Sequence, residues 1–419
     1  LDAAHDMDVK DVHIVPMVTS FDLIRDVEGY ADEQAGKRKK AESLSWMIGY
    51  LRSMREPMGR IYIDLGEPVV VSQAPDPDDK LALSKLAFRV AVEANRATPL
   101  TLTSMSCFIL LAWAPRGMTG RELRSMMVML VRWAEARGIR LTEDLQAGPK
   151  KNPVPKTLGM LKKHGLIMEY DQAQENVYLI EPHKHPVASY YRNSIAHHFV
   201  NKATIELALL KVLEQPQLNA TDLFWQETLR LRDLFKFEYF YPEKAQYRSD
   251  LEAELSRTDA GWQSKLDAGA EQIETLLLGL RPIVPHAVFL QFTEAYSVVL
   301  EIIARLAPGQ TINKTDCVQL ALKEGRQAYL LRRITSEASI AKTLFESAFK
   351  LAENQGLFDD ADPDCTAKRR ALLAEFRALA ARMEKARVGT TADTERLLEA
   401  EDSAAESSAA PAAPRSPVH

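Results

Sequence analysis

From residue 183 to residue 355 the apolar residues recur at three- and four-residue spacing almost without a break. Prolines at 216, 242, 282, 285 and 308 punctuate that stretch. Proline has no N–H to donate and a fixed φ, so it starts or ends helices. The stretch therefore reads as a stack of helices of ordinary length. Residues 366–388 continue it as one charged amphipathic helix. From Gly389 the chain turns to Ala, Ser, Pro and Glu, a composition that cannot bury enough apolar surface to order itself. A disordered tail is expected over 389–419.

The first 72 residues read differently. VHIVPMV at 12–18 is short, apolar and β-branched, as expected of a buried parallel strand. Lys37, Arg38, Lys39 and Lys40 precede a helical pattern through Leu44, Met47, Ile48 and Leu51. RIYIDLGEPVVV at 60–71 returns to strand, interrupted by Gly66 and Pro68, so its second half is expected at an edge or turn. PDPDD at 75–79 marks a boundary, and a helix follows from Lys80 to about Ala94.

Over 100–182 the pattern is helix, helix, then two short strands. Thr119 and Glu122 form a capping box before Leu123, Met126, Met127, Leu130 and Val131. Gly165 ends the next helix, and LIMEY and NVYLI follow as a hairpin. This is the outline of a winged helix. Such modules bind protein as readily as DNA. With 53 Lys plus Arg against 58 Asp plus Glu, the chain lacks the basic excess of a general nucleic-acid binder. No nucleic-acid partner is expected.

Chemistry is sparse. There is no Gly-rich phosphate loop and no G-x-S-x-G elbow. The histidine pairs His183/His185 and His197/His198 lack further ligands at metal-binding spacing, so neither a metal nor a cofactor is expected. Cys107, Cys317 and Cys365 are widely spaced and read as reduced thiols. Neither a signal peptide nor an uninterrupted spanning run is read. The longest apolar candidates are 107–114 and 283–300, the latter broken by His286, Gln291 and Glu294.

Several segments together resemble one family. Ile14-Val15-Pro16-Met17 with Phe21-Asp22, then Tyr30, Glu33, Gly36, Lys39, Lys40, Glu42 and Ser43, then Leu65-Gly66-Glu67-Pro68 follow one order. It is that of the IxPVxxxYD, Y…E..G..KK.ESL and FGEP segments of glycerol-3-phosphate acyltransferases of the large bacterial and mitochondrial type. Ser189 to His197, SYYRNSIAH, is similar to that family's SYYRNN-x-x-H segment, and residues 324–358 resemble its C-terminal region.

The resemblance implies transfer of a fatty acyl group from acyl-CoA or acyl carrier protein to the sn-1 hydroxyl of glycerol 3-phosphate. Dihydroxyacetone phosphate is the alternative acceptor. It also implies an H-x4-D motif, which this chain lacks. His5 meets Lys10 at the fifth position, and His164 meets Glu169 in a helix-to-strand step. Tyr241-Pro242-Glu243-Lys244 resembles the family's FPEG block only superficially. In the family those blocks precede the IxPV strand, so the expectation is a C-terminal part, inactive alone, that needs an upstream catalytic segment.

The expected fold is mostly α with an α/β N-terminal part. Residues 1–74 would be the C-terminal remnant of an αβ acyltransferase domain, and 79–182 a helix plus a winged-helix-like module. Residues 183–388 would form a helical region, before the tail at 389–419. Val15, Pro16 and Met17 are implied to line an acyl groove, unless they are plain core. Lys37, Arg38, Lys39 and Lys40 are implied to meet CoA phosphates or anionic headgroups, unless they are a solvated face. Tyr191, Arg192, Asn193 and His197 are implied to dock the helical region, with Glu42 and Ser43 fixing a helix start. Peripheral association with the cytoplasmic face of the membrane is expected, through the helices around 203–213 or 283–306. A non-catalytic scaffold or membrane-docking module is the competing reading.

Overall fold

A computed structural model of the chain describes residues 11–37, 58–72, 79–146, 154–172, 174–359 and 362–409. Its N-terminal part holds two short antiparallel ribbons. Strand β1 (Val12–Ile14) pairs with β4 (Val69–Val71), and β2 (Met17–Phe21) with β3 (Ile61–Leu65). The expectation of one buried parallel strand over 12–18 is corrected here. Pro16 cannot donate to a ladder, so the run splits around it, and each half takes a different antiparallel partner. Gly66 and Pro68 divide the partner segment in the same way. The Gly66 N–H donates to Pro16 O at 2.8 Å, and a Cβ there would lie 3.0 Å from Glu93 O.

Helix α1 (Val27–Gln34) follows β2, and α2 (Ala82–Ala97) packs on β2, β3 and β4. Next come α3 (Leu102–Trp113), α4 (Gly120–Glu135), α5 (Glu143–Gln146) and α6 (Val154–Lys163). They flank a three-stranded sheet of β5 (Met118–Thr119), β6 (Met168–Tyr170) and β7 (Val177–Leu179) in the order β5-β7-β6. The capping box forms as read: Thr119 Oγ1 accepts from the Glu122 N–H at 3.2 Å, and Glu122 Oε2 accepts from the Thr119 N–H at 2.7 Å. Gly165 ends α6 at φ +66°.

The remaining helices are α7 (His185–Ala196), α8 (Val200–Glu214), α9 (Ala220–Leu234), α10 (Lys244–Thr258), α11 (Trp262–Asp267) and α12 (Ala270–Gly279). After them come α13 (Pro285–Ala304), α14 (Lys314–Leu330), α15 (Lys342–Asn354) and α16 (Cys365–Ala409). The prolines fall between helices as expected, with Pro285 in the first turn of α13. Helix α13 is the hub, packed by α8, α14, α15 and α16. One hydrophobic core runs from Leu23 to Met383.

Two expectations change here. Helix α13 is long and apolar enough to cross a membrane, yet 78% of its apolar window is buried inside the protein. Helix α8 is likewise interior, and Lys202 and Glu206 on it are fully buried as an ion pair. The Lys202 ammonium also donates to Leu280 O, and Glu206 Oε2 accepts from the Val284 N–H at 2.9 Å. The helices at 203–213 and 283–306 are therefore not lipid-facing surfaces. In addition, α16 continues to Ala409, through most of the stretch expected to lack order. Ala, Glu, Leu and Arg are strong helix formers, and they let the backbone propagate from the packed part of α16. Residues 410–419 lie outside the described residues.

Candidate functional site

Helix α7 joins the strand layer to the helical stack. Its buried face is set by Ala188, Ser189, Tyr191, Arg192, Ile195 and Ala196. Tyr191 Oη accepts from the Ile24 N–H at 2.8 Å, just beyond β2. Tyr190 meets Tyr30 of α1 edge to face, with ring centroids 6.0 Å apart. Toward the stack, Ser189 Oγ donates to Gln291 Oε1 at 2.7 Å, and Gln291 Nε2 donates to Ala338 O at 2.8 Å.

Arg192 is buried, and its direct partners are neutral. It donates to Ser189 Oγ at 2.8 Å and to Asn193 Oδ1 at 2.9 and 3.1 Å. Burial pulls its guanidinium down to about 10. His197 and His198 donate through Nε2 to Asn95 O and Thr98 O, each at 2.8 Å. A carbonyl only accepts, so each ring carries its proton on Nε2. Burial holds His197 down to about 3 and His198 to about 4, so both are neutral near pH 7.

A cavity of 370 Å³ opens between β2, α2 and α7. It is lined by Ser20, Phe21, Thr101, Asn193, His197 and Glu238 among others, with no lysine or arginine in its wall among the described residues. Glu238 Oε1 accepts from Tyr296 Oη at 2.6 Å, and burial pushes its carboxyl up to about 7. A neighbouring cavity of 580 Å³ shares Asn95, His197, Tyr239 and Phe240 with the first, and adds Glu67, Arg89, Glu93 and Arg96. Arg96 is paired with Glu93 at 2.6 Å. The smaller cavity can hydrogen-bond a polar ligand, and its described lining offers no cation to a phosphate.

The sequence-derived candidates separate. Tyr191, Arg192 and Asn193 lie on α7, and His197 follows it directly. Val15 and Met17 lie on the exposed side of the strand layer, Met17 at 66% exposure, with Pro16 buried between them. Val18, Ser20 and Phe21, rather than these three, reach the 370 Å³ cavity. Lys37 is exposed and pairs with Asp32 at 2.6 Å. Arg38, Lys39, Lys40, Glu42, Ser43 and His5 lie outside the described residues. Sequence reasoning missed Glu238, Asn95 and Gln291, which carry no local motif. Asp22 follows β2 directly. Its Oδ2 accepts from the Arg60 N–H at 2.8 Å, and burial raises its carboxyl above the usual range. Among the described residues no group of three or more His, Cys, Asp or Glu is placed to hold a metal. The three cysteines are buried and not bonded to one another.

These features define a helical scaffold that latches a small strand layer through α7 and frames a polar cleft, with no nucleophile–base pair in the cleft among the described residues. Residues 30–361 match the family described as the glycerol-3-phosphate acyltransferase C-terminal region. The chain belongs to that family. It is 30% identical over 407 residues to the proteins named acyltransferase plsB1 of Mycobacterium bovis and Mycobacterium tuberculosis, covering 94% of this chain and 64% of theirs. It is 26% identical over 220 residues to a glycerol-3-phosphate acyltransferase of Shewanella denitrificans, covering 48% of this chain and 27% of that protein. The chain thus spans just under two thirds of the length of the mycobacterial relatives.

Proposed function

We propose that the chain serves as the C-terminal part of a glycerol-3-phosphate 1-O-acyltransferase, acting in phospholipid synthesis as a peripheral protein on the cytoplasmic face of the membrane. The acyl donor would be acyl-CoA or acyl carrier protein, with dihydroxyacetone phosphate the second-choice acceptor. The observation that carries this reading is an outward apolar face on the strand layer. In β3 the polar Tyr62 and Asp64 are half-buried while Ile61, Ile63 and Leu65 are exposed, and in β2 Met17 and Thr19 are exposed while Val18, Ser20 and Phe21 are half-buried. Met17 faces Leu65 across the ladder, and Ile63 faces Thr19. A one-residue slip would exchange these faces, so the register keeps an apolar face outward. Such a face calls for a covering layer. A catalytic αβ layer of the same protein is the occupant this reading assigns to it.

That layer would supply a His–carboxylate pair to take the hydroxyl proton and donors for the thioester oxyanion. This chain would hold that layer on the outward face of β2 and β3, which α7 ties to the helical stack. The three-stranded sheet with its helices is read as a winged-helix-like module facing protein rather than nucleic acid. The purified chain, given glycerol 3-phosphate and palmitoyl-CoA, is expected to release no CoA above background. The protein expressed with a segment bearing His-x4-Asp should be active, and Ile63→Asp should lower that activity at least tenfold. Turnover by the chain alone, or full activity of the Ile63→Asp protein, would overturn the proposal.

A further inference from the structure

The helices expected to meet lipid are interior, so a membrane contact must lie elsewhere. The C-terminal end of α14 stands out. Its inner face, Cys317, Val318, Ala321, Gly325 and Ala328, is buried. Leu320, Lys323, Arg326 and Leu330 recur on the outer face at three- and four-residue spacing, and all are exposed. Leu330 is 74% exposed and Leu331 59%, so both protrude instead of lining a groove. Arg332 and Arg333 follow immediately and are exposed. Lys323, Arg326 and Arg332 make no ion pair among the described residues. Arg333 lies 3.6 Å from Glu301, which also pairs with Arg377, and Glu324 is engaged by Arg305.

The backbone at this tip is unusual. The Arg333 N–H donates to Ala328 O at 2.8 Å and the Arg332 N–H to Tyr329 O at 3.0 Å, the double closure that ends a helix through a left-handed residue. That residue is Arg332, with φ +57°, and it is the only non-glycine at positive φ among the described residues. Gly165 closes α6 in the same way without penalty. An arginine at this position carries a small conformational cost that glycine would not.

We propose that this tip is the chain's contact with anionic lipid. Leu330 and Leu331 would enter the headgroup boundary, while Lys323, Arg326 and Arg332 meet phosphate groups. Apolar area and cationic charge add in such binding. A protruding leucine pair followed directly by Arg332 and Arg333 suits a lipid surface, whereas a protein partner would have to supply a pocket. The inference rests on the peripheral-membrane reading and gives it a surface.

The test is co-sedimentation of the full chain with vesicles of phosphatidylcholine alone, or mixed in equal parts with phosphatidylglycerol, at low and high salt. The expected result is binding to the mixed vesicles that weakens with salt. Leu330→Ser with Leu331→Ser should weaken it roughly tenfold or more, and Arg326→Gln with Arg332→Gln roughly fivefold per charge. Arg332→Gly should raise Tm while lowering vesicle binding, a split that a purely structural arginine would not produce. If wild type binds and the tip variants bind equally well, the tip is wrong and the peripheral reading survives. Loss confined to Ile61→Ser with Ile63→Ser would move the contact to the strand layer. Sensitivity to the arginines but not the leucines would indicate an acidic partner in place of lipid. Failure of wild type to bind would sink both readings.

Discussion

Glu238 borders the 370 Å³ cavity, accepts a hydrogen bond from Tyr296 and makes no ion pair among the described residues. Burial raises its carboxyl from 4.5 to about 7, so the folded protein holds a proton that the unfolded chain releases. The stability this contributes is complete below about pH 4.5 and is lost as pH rises toward 7. His185, His197, His198 and His286 act with the opposite sign. Burial lowers them to between about 3 and 4, so their stability is lost as pH falls below 6.5. Glu238→Gln isolates the carboxyl, since Gln Oε1 can still accept from Tyr296. Relative to wild type, the variant should match at pH 4.5 and be more stable by about 1–3 kcal/mol at pH 8. Urea midpoints across that range decide it, and a pH-independent difference would mean the carboxyl is not shifted.

At the scale of elements, α7 ties the strand layer to the helical stack, alongside α2 and the Arg60–Asp144 and Arg140–Asp64 pairs. Tyr191 Oη satisfies the Ile24 N–H across 167 residues of sequence. Tyr191→Phe keeps the ring and removes the acceptor, which should cost about 1–2 kcal/mol. The loss should fall mainly on the strand layer, so limited proteolysis should cut within residues 11–37 sooner while the helical stack persists. Uniform sensitisation along the chain would argue against a latch. Local signals were readable throughout these elements: prolines separated the helices, Thr119 and Glu122 capped α4, and Gly165 stopped α6. The SYYRN segment was readable as a resemblance. Its partners were not, because Asn95, Gln291 and Ala338 reach it only through tertiary packing. The strand at 12–18 misled because an apolar β-branched run without alternation does not reveal whether its neighbours are parallel or antiparallel, and Pro16 carried more weight than its hydrophobicity.

Over the whole molecule, composition is ordinary, and the imbalance shows only in three dimensions. The helical core is closed around α13, whereas the strand layer turns Met17, Ile61, Ile63 and Leu65 outward. An exposed apolar ribbon is a template for association with another copy. The isolated chain should therefore self-associate with increasing concentration, and Ile61→Thr with Ile63→Thr should return it to a monomer. Threonine keeps the β-branch that suits a strand, so the ladder itself should persist. Sedimentation velocity over a concentration series, with circular dichroism to show unchanged secondary structure, measures this directly. A wild-type chain that stays monomeric throughout would mean that this face does not template association.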